Sequence, residues 1–335
     1  MSNKEQRFTL GLLAMEGSML SSLIGPGDMF CVAQKLAQVR EPGTHLRLET
    51  VMISARGLAH VTGSGGLQLS GVQSPDRALD CLMIPGIMHE SADDLINKLA
   101  NYQPEIDLLR AINLRGVPLI AACCGGFLLA ESGLLDGHEA TTSWWLDAAF
   151  RKRYPKVQLD VERMIVEDGA MTTTGASTAI YTYILRLLAK RVDESLAQMT
   201  GRMMLIDTER QSQAPYISMA LTERPRHSLS EKAERFIQQQ LHRDLSVSEL
   251  AEYCDTSERS LLRHFRQHYN ASPITHIQHL RVERAKALLE TTLMSFDEIV
   301  ERCGYHDSAS FRKLFKRATH LTPADYRERF RLRAA

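Results

Sequence analysis

The sequence predicts two domains of different class: an α/β N-terminal domain with a largely parallel sheet, and an all-α C-terminal domain built from a repeated helical unit. Three observations predict it. Strand-like and helix-like stretches alternate from the start of the chain to about residue 205, the pattern of a parallel sheet with crossover helices. From Leu245 to Tyr326 one pattern of caps and apolar residues occurs twice, about 50 residues apart. The charge is also divided. The whole chain carries 40 Lys and Arg against 40 Asp and Glu, yet residues 226–335 hold 19 against 15 and 8 of the 12 histidines. A length of 335 residues suits two domains. The boundaries read as 1–205 and 228–335, with residues 206–227 as a linker that includes Pro215 and Pro225 as helix stops.

In the first domain, FTLGLLAM reads as a short apolar strand, followed by a helix over Ile24 to Val39. LRLETVMIS alternates as a half-buried strand, and CLMIPG is a buried strand ending in Pro-Gly. Ser91 to Leu114 holds two helical patterns broken at Pro104. VPLIAACC is a strand running into the helix GGFLLAESG. Thr142 to Tyr154 reads as a helix, Val157 to Val166 as strands, MTTT as a strand, and Thr178 to Leu188 as a helix. Sheets of this kind place ligand sites at the carboxyl ends of their strands.

In the second domain, Ser228 with Glu231 caps a helix over Ser230 to Leu241. Ser246 with Glu249, and Ser295 with Glu298, form S-x-x-E capping boxes ahead of apolar runs. Ser257 and Asp307 cap a second helix in each copy. That helix buries Leu261 and Phe265 in one copy and Phe311 and Phe315 in the other. Ser272-Pro273 and Thr322-Pro323 start the next helices. Leu250 and Cys254 match Ile299 and Cys303 at an offset of 49, while Leu261, Phe265 and Pro273 match Phe311, Phe315 and Pro323 at 50. Two short helices around a tight turn make a helix-turn-helix, and this chain has two. Between them, Ile274 to Glu290 reads as one helix with Ile277, Leu280, Ala287 and Leu288 as its buried side.

The exposed faces suit double-stranded DNA. Arg259 and Arg263 lie four apart on the second helix of the first copy, beside Ser257 and Ser260. Their counterparts are Ala309 and Lys313, flanked by Ser308, Ser310 and Arg312. Arginine pairs bidentately with guanine, serine bonds base edges or phosphate, and alanine touches a thymine methyl. Arg259 and Arg263 in the first copy, and Ser308, Ala309 and Lys313 in the second, are the expected base readers, with a phosphate contact as the alternative for Lys313. This stretch, Ser228 to Phe330, resembles the AraC/XylS family of transcription regulators in its paired helices, its Cys303-Gly304-Tyr305 entry to the second turn and its two F-x7-P motifs. The resemblance implies sequence-specific DNA binding and activation through contact with RNA polymerase.

Ala121 to Phe127 reads as a strand, a sharp turn carrying Cys123 and Cys124, then glycines and a helix. A thiol at such an elbow sits near free N–H groups and a positive helix end. Residues 8 to about 200 resemble the PfpI-type, class I glutamine amidotransferase-like fold, of flavodoxin-like architecture. CCGGFLLAESGLLDGHEATTSWW follows the form found in regulators that join this fold to an AraC-type reader. Cys123 takes the family's nucleophile position. Cys124, Ser143 and Ser22 stand where catalytic members can carry histidine, histidine and a carboxylate.

The resemblance therefore implies a catalytically disabled domain that senses a small-molecule effector and forms a homodimer. Ser22, Gly86, Cys123, Cys124, Ser143, Trp144 and Gly175 are its candidate ligand-binding residues. Trp144 and Trp145 read either as helix packing or, for one of them, as a pocket wall with a π face for a cation. Cys123 reads as a shape-keeping buried residue, as pocket lining, or as a redox-sensing thiol with no resolving partner in the sequence. Two rival readings remain: a PfpI-type hydrolase or glyoxalase-like enzyme with an accessory helical domain, and a constitutive architectural DNA binder.

No apolar run approaches the ~20 residues of a membrane span, and the N-terminus has no cleavage-site pattern. The six cysteines lack metal-ligand spacing to histidine. A cytoplasmic protein with reduced thiols, no metal and no cofactor is expected.

Overall fold

The computed structural model describes residues 6–219 and 228–331. They fall into two units that divide in sequence between Gln213 and Ala214.

The N-terminal unit is organised on a six-stranded sheet. Its strands are β1 (Gln6–Leu13), β2 (Leu46–Ile53), β5 (Cys81–Ile84), β6 (Leu119–Ala122), β9 (Ile165–Asp168) and β10 (Met171–Thr174). The order is β2-β1-β5-β6-β10-β9, with every neighbouring pair parallel except β10 and β9. The four residues of β5 and of β6 are all buried, as parallel strands covered on both faces must be. Their side chains still alternate. Leu82, Ile84, Leu119 and Ala121 enter one core with α2 (Ala92–Leu99), α3 (Gln103–Leu114), α4 (Gly125–Glu131) and α5 (Asp147–Arg153). Cys81, Met83, Ile120 and Ala122 enter the other with α1 (Leu20–Arg40), α6 (Ala179–Arg191) and α7 (Glu194–Met203).

Several sequence expectations change here. The first helix begins at Leu20 rather than Ile24 and carries Pro26 inside it. The helix expected over Thr142 to Tyr154 is shorter. Ser143 is extended, Trp144–Leu146 is a 3-10 turn, and α5 follows. The cause is a tertiary tie: Thr142 Oγ1 donates to Cys123 O at 3.2 Å, which holds this segment against the elbow. Val157 to Val166 contains only the two-residue β8 (Gln158–Leu159), paired with β7 (Glu139–Ala140), and the start of β9. A hairpin of β3 (His60–Thr62) and β4 (Gln68–Ser70), and the helix α7, were not anticipated.

Residues 206–219 pack on one unit and then on the other. Ser212 bridges to Arg163, and Gln213 N–H donates to Glu162 O at 2.8 Å. From Ala214 onward the partners belong to the C-terminal unit. The Tyr216 ring lies edge-on to Phe330 at 5.1 Å, and Met219 N–H donates to Glu283 Oε2 at 3.1 Å. Residues 220–227, which complete the expected linker and hold Pro225, lie outside the described residues.

The C-terminal unit has α8 (Ser228–Gln240), α9 (Val247–Tyr253), α10 (Glu258–Tyr269), α11 (Pro273–Thr291), α12 (Phe296–Arg302), α13 (Ser308–Thr319) and α14 (Pro323–Phe330). Both capping boxes are complete, with side chain and backbone bonded in each direction. Ser257, Asp307, Ser272 and Thr322 cap as their positions predict. Each helix-turn-helix has its own core. One centres on Leu250, Cys254, Leu261 and Phe265, the other on Ile299, Cys303, Phe311 and Phe315. Helix α11 serves both, giving Ile277 to the first and Val282, Ala285 and Leu289 to the second.

The expected buried side of α11 needs correction. Ala287 is exposed and Leu280 and Leu288 are only partly covered, while Arg281 and Lys286 are buried. The helix changes partners midway, so no single stripe runs its length. Arg281, 7% exposed, explains one exception. Its guanidinium donates to Arg243 O at 2.6 Å and lies 4.9 Å from the Tyr305 ring centre. It thus ties the loop leading into the first helix-turn-helix to the turn of the second. Gly304 allows the same approach. A Cβ there would stand 2.6 Å from Leu241 O, and φ is +73°, so only glycine fits without strain.

Candidate functional site

The recognition faces follow from the caps. Ser257 Oγ accepts the Ser260 N–H at 3.2 Å and donates to Ser260 Oγ at 3.0 Å. With the first turn of α10 fixed and Leu261, His264 and Phe265 facing inward, the remaining positions face outward. Arg259, Leu262, Arg263, Arg266 and Gln267 are exposed there, together with Glu258, around one shallow open hollow. Arg259 and Arg263 are therefore brought together as their spacing predicts. Leu262, Arg266 and Gln267 were missed. The i+7 and i+8 spacing of Arg266 and Gln267 from Arg259 was a signal for two of them.

On α13, Ala309, Ser310, Arg312 and Lys313 are exposed and Ser308 is half-buried. Asp307 caps the helix through the Ala309 N–H at 2.9 Å and accepts from Ser310 Oγ at 2.6 Å. Arg312 lies over the Phe296 ring at 4.5 Å, so its guanidinium is laid back along α12. Lys316 and Arg317, also exposed and not anticipated, extend the basic face.

The elbow in the N-terminal unit is sealed. Cys123 is 1% exposed and has a left-handed backbone, φ 55°, a conformation that costs a non-glycine residue about 1–3 kcal/mol. Its N–H donates to Thr174 O at 3.0 Å, and its Sγ lies 2.7 Å from Ser143 Oγ. Ser22 Oγ accepts the Gly86 N–H at 2.9 Å. A Cβ on Gly86 would lie 3.5 Å from Cys123 Cβ and 3.6 Å from Ser22 Oγ. Ser22, Gly86, Cys123 and Ser143 therefore converge.

Cys124 turns to a different neighbour. Its Sγ accepts the Ile87 N–H at 3.1 Å. Cys123 is the more acidic of the two thiols. Hydrogen bonding from the Cys124 thiol, the Ser143 hydroxyl and the N–H groups of Cys124 and Ser177 favours its thiolate against burial. The shared hydrogen bond and burial push Cys124 the other way. Sequence reasoning missed His89, whose Nδ1 is 2.8 Å from Ile87 O and 3.8 Å from Cys124 Sγ. It follows the same strand end as Pro85-Gly86, which was the available signal. The group facing Cys123 is thus a hydroxyl, which cannot act as a general base near neutral pH as a histidine can. Trp144 is buried with its ring edge-on to Trp145 at 5.3 Å.

Gly175 marks a second buried arrangement beside the elbow. A Cβ there would stand 2.1 Å from the side-chain carbon of Gln213. That side chain, 4% exposed, accepts the Ala176 N–H at 2.8 Å. Its Nε2 lies 3.0 Å from both Thr142 O and Val161 O, and 3.2–3.3 Å from Arg163 O and Thr141 Oγ1. Nothing in the pattern of ERQSQAPY singled out this glutamine.

Residues 250–329 match the family model described as a helix-turn-helix domain. The chain is 26% identical over 327 residues to the HTH-type transcriptional regulator GbdR of Pseudomonas aeruginosa, covering 96% of this chain and 84% of that protein. It is 27% identical over 226 residues to the HTH-type transcriptional regulator GlxA of Rhizobium meliloti, covering 66% of this chain and 68% of that one. A solved structure from Vibrio parahaemolyticus aligns with a TM-score of 0.50 and 19% identity, over 60% of this chain and all of the other, a likeness of fold. Among the described residues no helix is long and apolar enough to cross a membrane. Paired helix-turn-helix units following an α/β unit in the chain, with transcriptional regulators as relatives along nearly the whole length, make this chain a DNA-binding transcription regulator with an AraC-type helix-turn-helix domain.

Proposed function

We propose that the chain is an effector-controlled, sequence-specific regulator that activates transcription as a homodimer, through RNA polymerase, in the cytoplasm. The observation that carries the DNA half is the pair of exposed basic faces on capped helices. Arg259 and Arg263 read bases from α10. Ser308, Ala309 and Lys313 read them from α13. Ser257, Ser260 and Ser310, engaged in caps, orient those helices and meet phosphate. Arg312, lying on Phe296, also meets phosphate.

The sensing half rests on the elbow. Ser22, Gly86, Cys123, Cys124, Ser143 and Trp144 line the effector site, with Gly175 at its edge, and the group that faces Cys123 is the Ser143 hydroxyl. Gln213 supports a route for coupling. Its carboxamide is held by Thr142 and the Gly175–Ala176 loop, and the next residue begins the segment packed on the reader. An effector that displaces the loop frees this side chain. Only a ligand that prefers one arrangement shifts the balance.

The test is a fluorescence-anisotropy titration of the full chain against duplexes selected from a random library. Arg263→Ala should weaken the selected site by ~1–3 kcal/mol and relax preference at one base pair. Unchanged binding would remove α10 from the groove. A thermal-shift screen of small metabolites tests the sensor. A ligand at 100 times its Kd should add ~2.7 kcal/mol, lost in Ser143→Ala. Turnover of an amide or an α-oxoaldehyde would instead favour the enzyme reading.

A further inference from the structure

We infer that Leu262 is a specificity-determining residue that reads the methyl group of a thymine. This rests on the reading of α10 as a helix that enters the major groove.

The observation is the company Leu262 keeps. It is 38% exposed, and every other exposed residue around it on the helix is polar: Glu258, Arg259, Arg263, Arg266 and Gln267. Glu258, Arg259 and Arg266 lie three or four positions away, so they share its face. The caps at Ser257 and the buried Leu261 and Phe265 fix the rotation of the helix. Leu262 therefore cannot turn inward while the arginines stay outward.

The chemistry of the groove then names its partner. The base edges in the major groove present donors and acceptors, and one apolar group, the C5 methyl of thymine. An isobutyl side chain set against a guanine or adenine edge would strip water from a polar atom and return no hydrogen bond. Against thymine it buries a methyl. The arginines on either side hold the backbone and neighbouring guanines, which keeps the leucine close to its base.

The second reader provides an internal contrast. The position 50 residues on from Leu262 is Arg312, whose guanidinium lies over Phe296. There the exposed apolar tip is Ala309, three positions earlier in the helix. The two readers thus look for thymine at different registers along their grooves.

The experiment uses the full-length protein and duplexes selected by it from a random library. Each thymine of the preferred site is replaced in turn by deoxyuridine, which lacks only the methyl, and affinity is read by anisotropy. One replacement in the half read by α10 should weaken wild-type binding about fourfold, the ~0.8 kcal/mol of one buried carbon. Leu262→Ala should abolish that sensitivity while leaving the thermal midpoint unchanged, since the side chain lies outside the core. Leu262→Gln should move the preference at that base pair from thymine to adenine. Deoxyuridine without effect, or an equal effect in Leu262→Ala, would overturn the inference and leave DNA reading intact. Failure to select any sequence would overturn both.

Discussion

The two helix-turn-helix units have the same frame and different faces. Capping boxes at Ser246 and Ser295, buried cysteines at 254 and 303, and paired aromatic or leucine anchors recur almost residue for residue. The outward positions do not. Arg259, Leu262 and Arg263 in one unit stand where Ala309, Arg312 and Lys313 stand in the other. The inward residues meet one constraint, the packing of two short helices on a third. The outward residues meet whatever lies opposite. The difference teaches that repetition here specifies a fold twice and a target twice over, independently.

The largest test of that separation lies in the cores. Phe265→Ala and Phe315→Ala each empty a fully buried site, at about 3–5 kcal/mol. Hydrogen exchange should rise in α8 to α10 for the first and in α12 to α14 for the second. Loss of protection across both units from either variant would mean one cooperative core.

Next come the faces. Lys313→Ala should show its loss at one base pair, by ~1–3 kcal/mol. A loss spread evenly over all sequences, with a flatter salt dependence, would assign Lys313 to phosphate and sharpen the contrast with Arg263.

Smaller still are the caps. Ser246→Ala and Ser295→Ala should each lower stability by ~1 kcal/mol, and equality between them in denaturant melts is the expected sign of a shared frame.

The smallest difference is in acid. The Ser246 backbone N–H, Arg243 and the Ser246 hydroxyl pull the Glu249 carboxyl down to about 2. Glu298 is lowered by the Ser295 hydroxyl and N–H alone among its hydrogen bonds. A lowered carboxyl stabilises the fold fully above its ordinary value of ~4.3 and loses that contribution as pH falls through the folded value. Acid titration by circular dichroism should therefore show a decline from about pH 4 toward 2. Glu249→Gln should flatten it more than Glu298→Gln does.

Much of this was legible in the chain. The caps at Ser246 and Ser295 were readable because a serine three residues before a glutamate closes a capping box where a helix starts, whereas Ser228, three before Glu231 and read as the cap of a helix over Ser230 to Leu241, is itself the first residue of α8. The elbow was readable because buried strand, sharp turn and glycines occur without interruption. What escaped was decided by distant partners. Ser143 is pulled out of a helix by the elbow. Arg281 and Lys286 are buried because α11 changes cores partway along, which defeats any single stripe. The hairpin at His60 to Ser70 has strands of three residues, too short to show alternation. Gln213 is one polar residue in a polar stretch, and its role lies in distant backbone groups: the carbonyls of Thr142, Val161 and Arg163 and the Ala176 N–H.

The tie between Arg281, Arg243 and Tyr305 has a consequence for how target sites can change over generations. A pair of readers held at a set separation and rotation will tolerate exchange of one base for another, each at a modest penalty. It will not tolerate insertion of a base pair between the half-sites, which would swing one groove by roughly 34° and advance it by about 3.4 Å relative to the other. Operators for this protein should therefore drift by substitution and keep their length. A length change would have to be answered by the bridging helix or by the glycine at 304, rather than by any residue that touches a base.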